Sequence, residues 1–240
     1  DIQNLLLCLN KRKFFINKNI SDTILKSRLE LNSLRRLKVN VLKNLPKVHH
    51  HIEELEMEKK QLENYNQLLK EMKLSKGVDK IGFLSKLSIA AIYHQDKTSN
   101  KFVKAIEIAS KYKKLCKKLI IFCDFNEPLR LLQNKLREKK ILSHLLYGEK
   151  DMIERYRILN DYKNNNLITI LLCNSKIGRE GLTLTEASSM IFLNEWWNPS
   201  SNRQAEDRIN RIGQKEEMNI HLLRSKNTID IHVAKILENK

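Results

Sequence analysis

The chain has 240 residues, enough for one large domain or two smaller ones with a sizeable core. Its 45 lysines and arginines stand against 28 acids, a formal charge of +17, which points to a polyanionic partner, nucleic acid above all; a genome rich in Lys, Asn and Ile codons adds to such a bias. No run approaches the ~18 consecutive apolar residues of a membrane helix, so no membrane span is expected.

Asp1-Ile2-Gln3 does not open a secretory leader, and a start without Met is expected of a fragment. Cys8, Cys116, Cys123 and Cys173 show no CxxC spacing, and Cys123 and Cys173 close apolar runs; both read as buried, reduced thiols of a reducing compartment. The charge is uneven: residues 1–50 hold 11 basic and 3 acidic side chains, 51–98 hold 8 of each, and 99–240 hold 26 and 17.

Along the chain, Leu5, Leu6, Leu9, Phe14 and Phe15 predict a short helix with a basic turn at Lys11-Arg12-Lys13. Ile24 to Leu45 reads as a basic amphipathic helix closed by Leu45-Pro46. His49-His50-His51 invites a metal reading, which we reject: neighbours in an extended run point to opposite faces, and no Cys or further His lies at ligand spacing. From Met57, the steps Leu62, Tyr65, Leu69, Met72 predict a helix; Gly77 and Gly82 are expected to break it before the pattern resumes at Phe83-Leu84, Leu87 and Ala90-Ala91. These two helices read as packing elements, and Thr98-Ser99-Asn100 as the cap of the next helix, which carries Phe102, Ile106 and Ala109.

The texture then alternates. Strands are expected at Leu119–Cys123, Ser143–Tyr147, Ile168–Cys173, Met190–Leu193 and Asn219–Arg224, with helices over Glu127–Lys139 and Asp151–Lys163. Short apolar strands alternating with helices predict an α/β domain, a parallel sheet with helices on both faces, whose ligands sit at the carboxyl ends of the strands. Asp124-Phe125, Gly148, Asn174 to Gly178 and Asn194 to Trp197 follow those strands.

Two stretches carry chemistry. In Asn174 to Thr185, Gly178 and Gly181 let backbone amides approach an anion, and Ser175 and Lys176 offer a hydroxyl and an ammonium; a plain strand-to-helix turn is the alternative. In the run from Gln204 to Gln214, a helical reading places Gln204, Arg208 and Arg211 at i, i+4 and i+7 on one face. That face is either a phosphate clamp of planar, permanently charged guanidiniums or a surface helix with ordinary salt bridges to Glu206 and Asp207. Trp196 and Trp197 could stack on bases; packing of Trp197 beneath the helix that follows is the preferred reading.

Gln204-Ala205-Glu206-Asp207-Arg208-Ile209-Asn210-Arg211-Ile212-Gly213-Gln214, preceded by Trp197-Asn198-Pro199, resembles motif VI of the SWI/SNF-type ATPases of helicase superfamily 2, whose pattern is Gln-x-x-Asp-Arg-x-His-Arg-Ile-Gly-Gln after Trp-Asn-Pro. Asn210 stands where the family has His. Asn174 to Thr185 is similar to motif V, with Arg179 for a second Gly and Thr183 for Asn. Leu119 to Phe125 resembles motif IV, with Phe122 read as core, and Tyr147-Gly148 with Arg155 resembles the elements after it. Leu34-Arg35-Arg36-Leu37-Lys38 and Leu45-Pro46-Lys47 resemble the family's Leu-Arg-Arg-x-Lys and Leu-Pro-x-Lys signature, which leads out of the first lobe's helical protrusion; a solvated basic face is the alternative for Arg35, Arg36 and Lys38.

The resemblance implies three segments: the end of a first lobe and a basic helical protrusion over 1–48, a helical linker over 49–98, and a RecA-like second lobe over 99–240. It implies a motor half of an ATP-dependent translocase on double-stranded DNA, working on nucleosomes or repair complexes, in the nucleus if eukaryotic and otherwise intracellular. Arg208 and Arg211 would be arginine fingers; Gln204, Gly178, Gly181 and Thr183 would lie on the ATP side; Ser175 and Lys176, with Arg35, Arg36 and Lys38, would contact DNA. Mg²⁺ would be held by the first RecA-like lobe, whose phosphate loop and Asp-Glu motif are expected upstream of Asp1, and this chain would hold no metal. The competing function is a RecA-like DNA-binding module that no longer hydrolyses ATP. Losing the finger arginines or the loop glycines would mark it, and Arg208, Arg211, Gly178 and Gly181 are all present.

Overall fold

In the computed structural model, six strands pair in one sheet, all parallel, in the order β1-β6-β5-β2-β4-β3. The strands are β1 (Val48–Leu55), β2 (Lys118–Cys123), β3 (Ser143–Leu146), β4 (Ile170–Asn174), β5 (Ala187–Phe192) and β6 (Met218–Ser225). The helices are α1 (Lys59–Leu74), α2 (Asp79–Ile92), α3 (Asn100–Lys114), α4 (Asn126–Glu138), α5 (Met152–Asn164), α6 (Pro199–Ile209) and α7 (Ile229–Glu238). The structure describes Thr23, Ser27 and residues 45–76, 79–94, 99–148, 151–174 and 183–238. Residues 45–240 form one compact unit, to which the following refers.

Strand β2 shows why both faces are covered. Its side chains alternate, as a pleated strand must. Leu119, Ile121 and Cys123 point into a core shared with Phe102, Ala105 and Ile108 of α3 and Leu129, Leu132 and Leu136 of α4. Ile120 and Phe122 point the other way, into a core with Tyr162 of α5 and Ala205 and Ile209 of α6. These five of the six β2 residues are fully buried, and burying an aliphatic or phenyl side chain contributes about 1.5–3 kcal/mol. Cys123 and Cys173 are buried and reduced, and burial raises the Cys123 thiol to about 12.

The expected helical segment over 49–98 opens on a strand instead. Val48–Leu55 pairs along β6, from Val48 with Met218 to Leu55 with Ser225. As an edge strand it leaves its histidines exposed, so it lacks the apolar run that revealed the central strands. The three histidines reach separate partners: His49 Glu217 at 3.2 Å, His50 Glu206 at 3.5 Å, and His51 Asn219 at 2.8 Å. Gly82 does not break a helix, because α2 runs through it with its missing side chain facing open space.

Helices α1, α2 and α7 form a third apolar cluster from Tyr65, Leu87, Ala90, Ala91, Ile229 and Val233. Gln61 Nε2 donates to the Ala90 carbonyl at 2.8 Å, and the Ile229 amide donates to Tyr65 Oη at 2.8 Å, so the buried polar groups here are satisfied. At the α3 start, the Ser99 hydroxyl accepts from the Phe102 amide at 3.2 Å, as the capping residues predict. At the second position of α3, Lys101 is only 1% exposed; its ammonium lies 2.6 Å from Asp230 of α7 and 2.6 Å from the carbonyl of Leu193, just after β5.

Candidate functional site

The order β5-β2-β4 brings three strand ends together, and a polar network fills the junction. Asn194, after β5, exchanges two hydrogen bonds with Asp124, after β2: it accepts from the Asp124 amide and donates to Oδ2, both at 3.1 Å. Asn174, the last residue of β4, donates to the Asp124 carbonyl at 3.1 Å and to Asn126 Oδ1 at 2.6 Å. These bonds hold the end of β4 in place; Ser175, Lys176, Gly178 and Gly181 lie outside the described residues, as do Arg35, Arg36 and Lys38. Beyond β3, the Arg155 guanidinium donates to the Gly148 carbonyl at 2.6 Å, and Arg130 sits over the Tyr147 ring at 5.0 Å.

The Trp-Asn-Pro stretch builds the start of α6. Asn198 is the N-cap, accepting from the Ser200 amide at 2.9 Å, and Pro199 takes the first helical position, where its missing N–H costs nothing. Asn202 then grips the backbone of Trp196 through both its amide and its carbonyl, each at 3.0 Å. It is Trp196, rather than Trp197, that packs with the helix: Trp196 is 4% exposed, edge-on to Phe122 and Phe192 at 6.1 and 5.7 Å, and shares a core with Ala205. Trp197 points outward, 37% exposed, against His232. Glu195 is held by Arg224 of β6 in a two-pronged pair at 2.6 and 3.1 Å, with both side chains largely buried. Neither Lys101–Asp230 nor Arg224–Glu195 was visible in the sequence, since each joins distant segments and charged residues carry no periodic signal.

The single face expected for Gln204, Arg208 and Arg211 is not formed. Gln204 and Arg208 share α6, one turn apart, but the helix stops at Ile209, with Asn210 as C-cap. Arg211 lies in the following turn, whose Gly213 takes φ +106°, a value that a side chain would strain. The turn redirects the chain so that it zips onto the segment leading into β5. The Leu184 amide donates to the Arg208 carbonyl at 3.1 Å, Arg211 Nη1 donates to Thr183 Oγ1 at 2.7 Å, and Gln214 Nε2 reaches the carbonyls of Thr185 and Ala187 at 3.2 and 2.8 Å. Arg211 and Thr183 meet before the amino end of β5, not at a strand's carboxyl end, and both remain exposed. On the other side of α6, Glu206 faces His50 of β1. Its hydrogen bond is the main cause that raises the imidazole pKa, against partial burial, which lowers it.

Residues 100–213 match the helicase conserved C-terminal domain. With the Sulfolobus solfataricus SWI2/SNF2 ATPase core domain, the chain is 25% identical and superposes at a TM-score of 0.69, covering 93% of this chain and 50% of that one. Residues 100–213 of this chain thus carry a helicase C-terminal domain, and the chain is similar to SWI/SNF-type proteins. The C-terminal part of the Fun30 ATPase domain shares the fold at a TM-score of 0.72, with 20% identity over 82% of this chain and 91% of that one. The DNA repair protein RAD5 of Debaryomyces hansenii is 31% identical over 161 residues, which is 62% of this chain and 13% of that protein. An uncharacterized ATP-dependent helicase of Mycoplasma genitalium is 30% identical over 221 residues, 86% of this chain and 21% of that protein. The chain thus spans 13% and 21% of the length of these two curated relatives, and its parallel sheet has the fold of the RecA-like second lobe in the solved structures.

Proposed function

We propose that this helicase C-terminal domain is the second motor lobe of an ATP-driven translocase on double-stranded DNA. The observation that supports the reading best is the seam between 183–187 and 208–214, which holds an exposed guanidinium, Arg211, beside Thr183. Phosphoryl transfer needs little covalent help from protein, only positioning and stabilisation of charge spread over the γ-phosphoryl oxygens. In this reading a first RecA-like lobe binds ATP and Mg²⁺ through its own phosphate loop and carboxylates. As the lobes close, Arg208 and Arg211 enter the site as fingers, with Gln204, Thr183 and the amides around Gly178 and Gly181 beside the nucleotide. Ser175 and Lys176, and the basic residues Arg35, Arg36 and Lys38, hold phosphates of one DNA strand. Closing and opening then shift the grip along the duplex without separating it.

The test is a triplex-displacement assay on the two-lobe protein. ATP-dependent release of a third strand, with the underlying duplex left intact, is the expected result. DNA binding without ATP turnover would make the chain part of an inactive binding module instead.

A further inference from the structure

Helices α3 and α4 pack side by side on one face of the sheet and end together at its amino edge. The α3 end presents Lys111, Lys113 and Lys114, with Lys117 just beyond. The α4 end presents Arg137, followed by Lys139 and Lys140. The two ends are tied directly, since the Lys113 ammonium donates to the Lys140 carbonyl at 2.5 Å. Both close in the same way, with a non-glycine residue in the left-handed conformation, Cys116 at φ 53° and Lys140 at φ 55°. The Lys117 amide reaches back to the Tyr112 carbonyl and the Ile141 amide to that of Leu136, so neither end frays.

Cations at a helix C-terminus have an ordinary explanation, because the helix dipole favours each by about 0.3–1 kcal/mol. That covers Lys111, Lys113, Lys114 and Arg137. It does not cover Lys117 and Lys140, which follow the caps Leu115 and Lys139, nor the joining of two clusters of cations, which repel. Lys117 pairs with Glu216 at 2.9 Å, but among the described residues Lys111, Lys114, Arg137, Lys139 and Lys140 have no acidic partner within salt-bridge distance. The cluster is also exposed, with Leu115 and Leu142 beside it at 54% and 53%.

We propose that this amino edge is a docking surface for the phosphodiester backbone of duplex DNA, separate from the contact assigned to Ser175 and Lys176. Those two residues follow the carboxyl end of β4. The adjacent strand β2 spans six residues, so at about 3.3 Å each the amino and carboxyl edges of the sheet lie roughly 20 Å apart. That is about two and a half times the screening length of about 8 Å at physiological salt, so a duplex gripped at the far end leaves this repulsion unrelieved. A second stretch of backbone neutralises it. The proposal takes its ligand from the duplex reading above, but none of its residues.

Cys116 supplies the test, because its exposed thiol sits inside the cluster. The 240-residue chain is alkylated with N-ethylmaleimide, with and without a short random-sequence duplex, and the Cys116 peptide is followed by mass. With DNA at about ten times its Kd for this edge, alkylation should slow roughly tenfold, because only unoccupied chains react, and high salt should restore the rate. A Lys114→Gln/Arg137→Gln/Lys139→Gln variant that melts like the parent should lose the protection and lower the salt slope of DNA binding by about 2.7, from about 0.9 per phosphate. Lys176→Ala should keep the protection, so failure of the Lys176 assignment and failure of this one are told apart. Unchanged alkylation at saturating DNA, or a triple variant with full protection and slope, overturns the proposal. Protection by polyglutamate but not by DNA also overturns it, and assigns the surface to an acidic polypeptide.

Discussion

Replacing Lys101 with Met should be among the most damaging single changes in the domain, and the structure sets the size of the effect. The Lys101 ammonium is 1% exposed and makes two short contacts, to Asp230 Oδ2 and to the Leu193 carbonyl, both at 2.6 Å. Met fills most of the volume but leaves the Asp230 carboxylate, 7% exposed, with the Ser225 amide at 2.8 Å and the first turn of α7 as remaining support. Breaking a buried pair by removing one partner costs about 3–5 kcal/mol, and the carbonyl left without a donor belongs to the same penalty. A loss of about 4 kcal/mol lowers the melting midpoint by about 8–16 °C in a domain of this size. Urea titrations of Lys101→Met, Asp230→Asn and the double variant measure it, and the double variant should cost at least about 2 kcal/mol less than the two single changes added together. A cost for Lys101→Met below about 1 kcal/mol, as for an exposed pair, would refute the reasoning.

Gly82→Ala should stabilise the domain by roughly 0.4–1 kcal/mol in a thermal melt, since α2 is already helical there and the added methyl meets nothing within 4 Å. His221 is kept neutral by burial, with His51 and nearby lysines adding to the effect, and its pKa is lowered to about 4. The unfolded ring takes a proton near pH 6.5 and the folded ring resists until about 4, so stability falls as pH drops through that window. After discounting for the ring's partial exposure, the loss should be about 1–2 kcal/mol, and His221→Phe should flatten that limb of the denaturation profile. The 240-residue chain alone should hydrolyse no ATP, because its sequence has no phosphate loop and no Asp-Glu magnesium motif; DNA-stimulated turnover by the purified chain would contradict this. Lys176→Ala should lower the salt slope of duplex binding by about 0.9, and an unchanged slope removes Lys176 from the contact.

The central strands were legible because burial on both faces leaves a continuous apolar signature, as in Leu119–Cys123 and Ile170–Cys173. The beginning of β5 was not, since Ala187-Ser188-Ser189 is buried yet carries no hydrophobic signal; its polar atoms are satisfied by Glu216 and Tyr112 from elsewhere in the chain. Strand β1 was hidden for the opposite reason, having one neighbour and an exposed edge. At the candidate site, residue identities were readable but not their arrangement. Helical spacing put Arg211 in line with Arg208, whereas the turn after Asn210 is set by the bonds of Gln214 to Thr185 and Ala187, which no local pattern announces. The choice between Trp196 and Trp197 was likewise made by Asn202 and the Phe122–Phe192 pair rather than by neighbouring residues.

The finger assignment is tested most directly by steady-state ATPase of the two-lobe protein at saturating duplex DNA, comparing the parent with Arg211→Ala and Arg211→Lys. An arginine that acts on charge developing in the transition state should, when lost, depress turnover about 10³–10⁵-fold while Kd for ATP and DNA changes little, and Lys should rescue poorly because an ammonium cannot reproduce the planar fork. An Arg211→Ala protein that melts like the parent and turns over ATP at the parent rate would contradict the account and leave Arg211 as a clasp on Thr183.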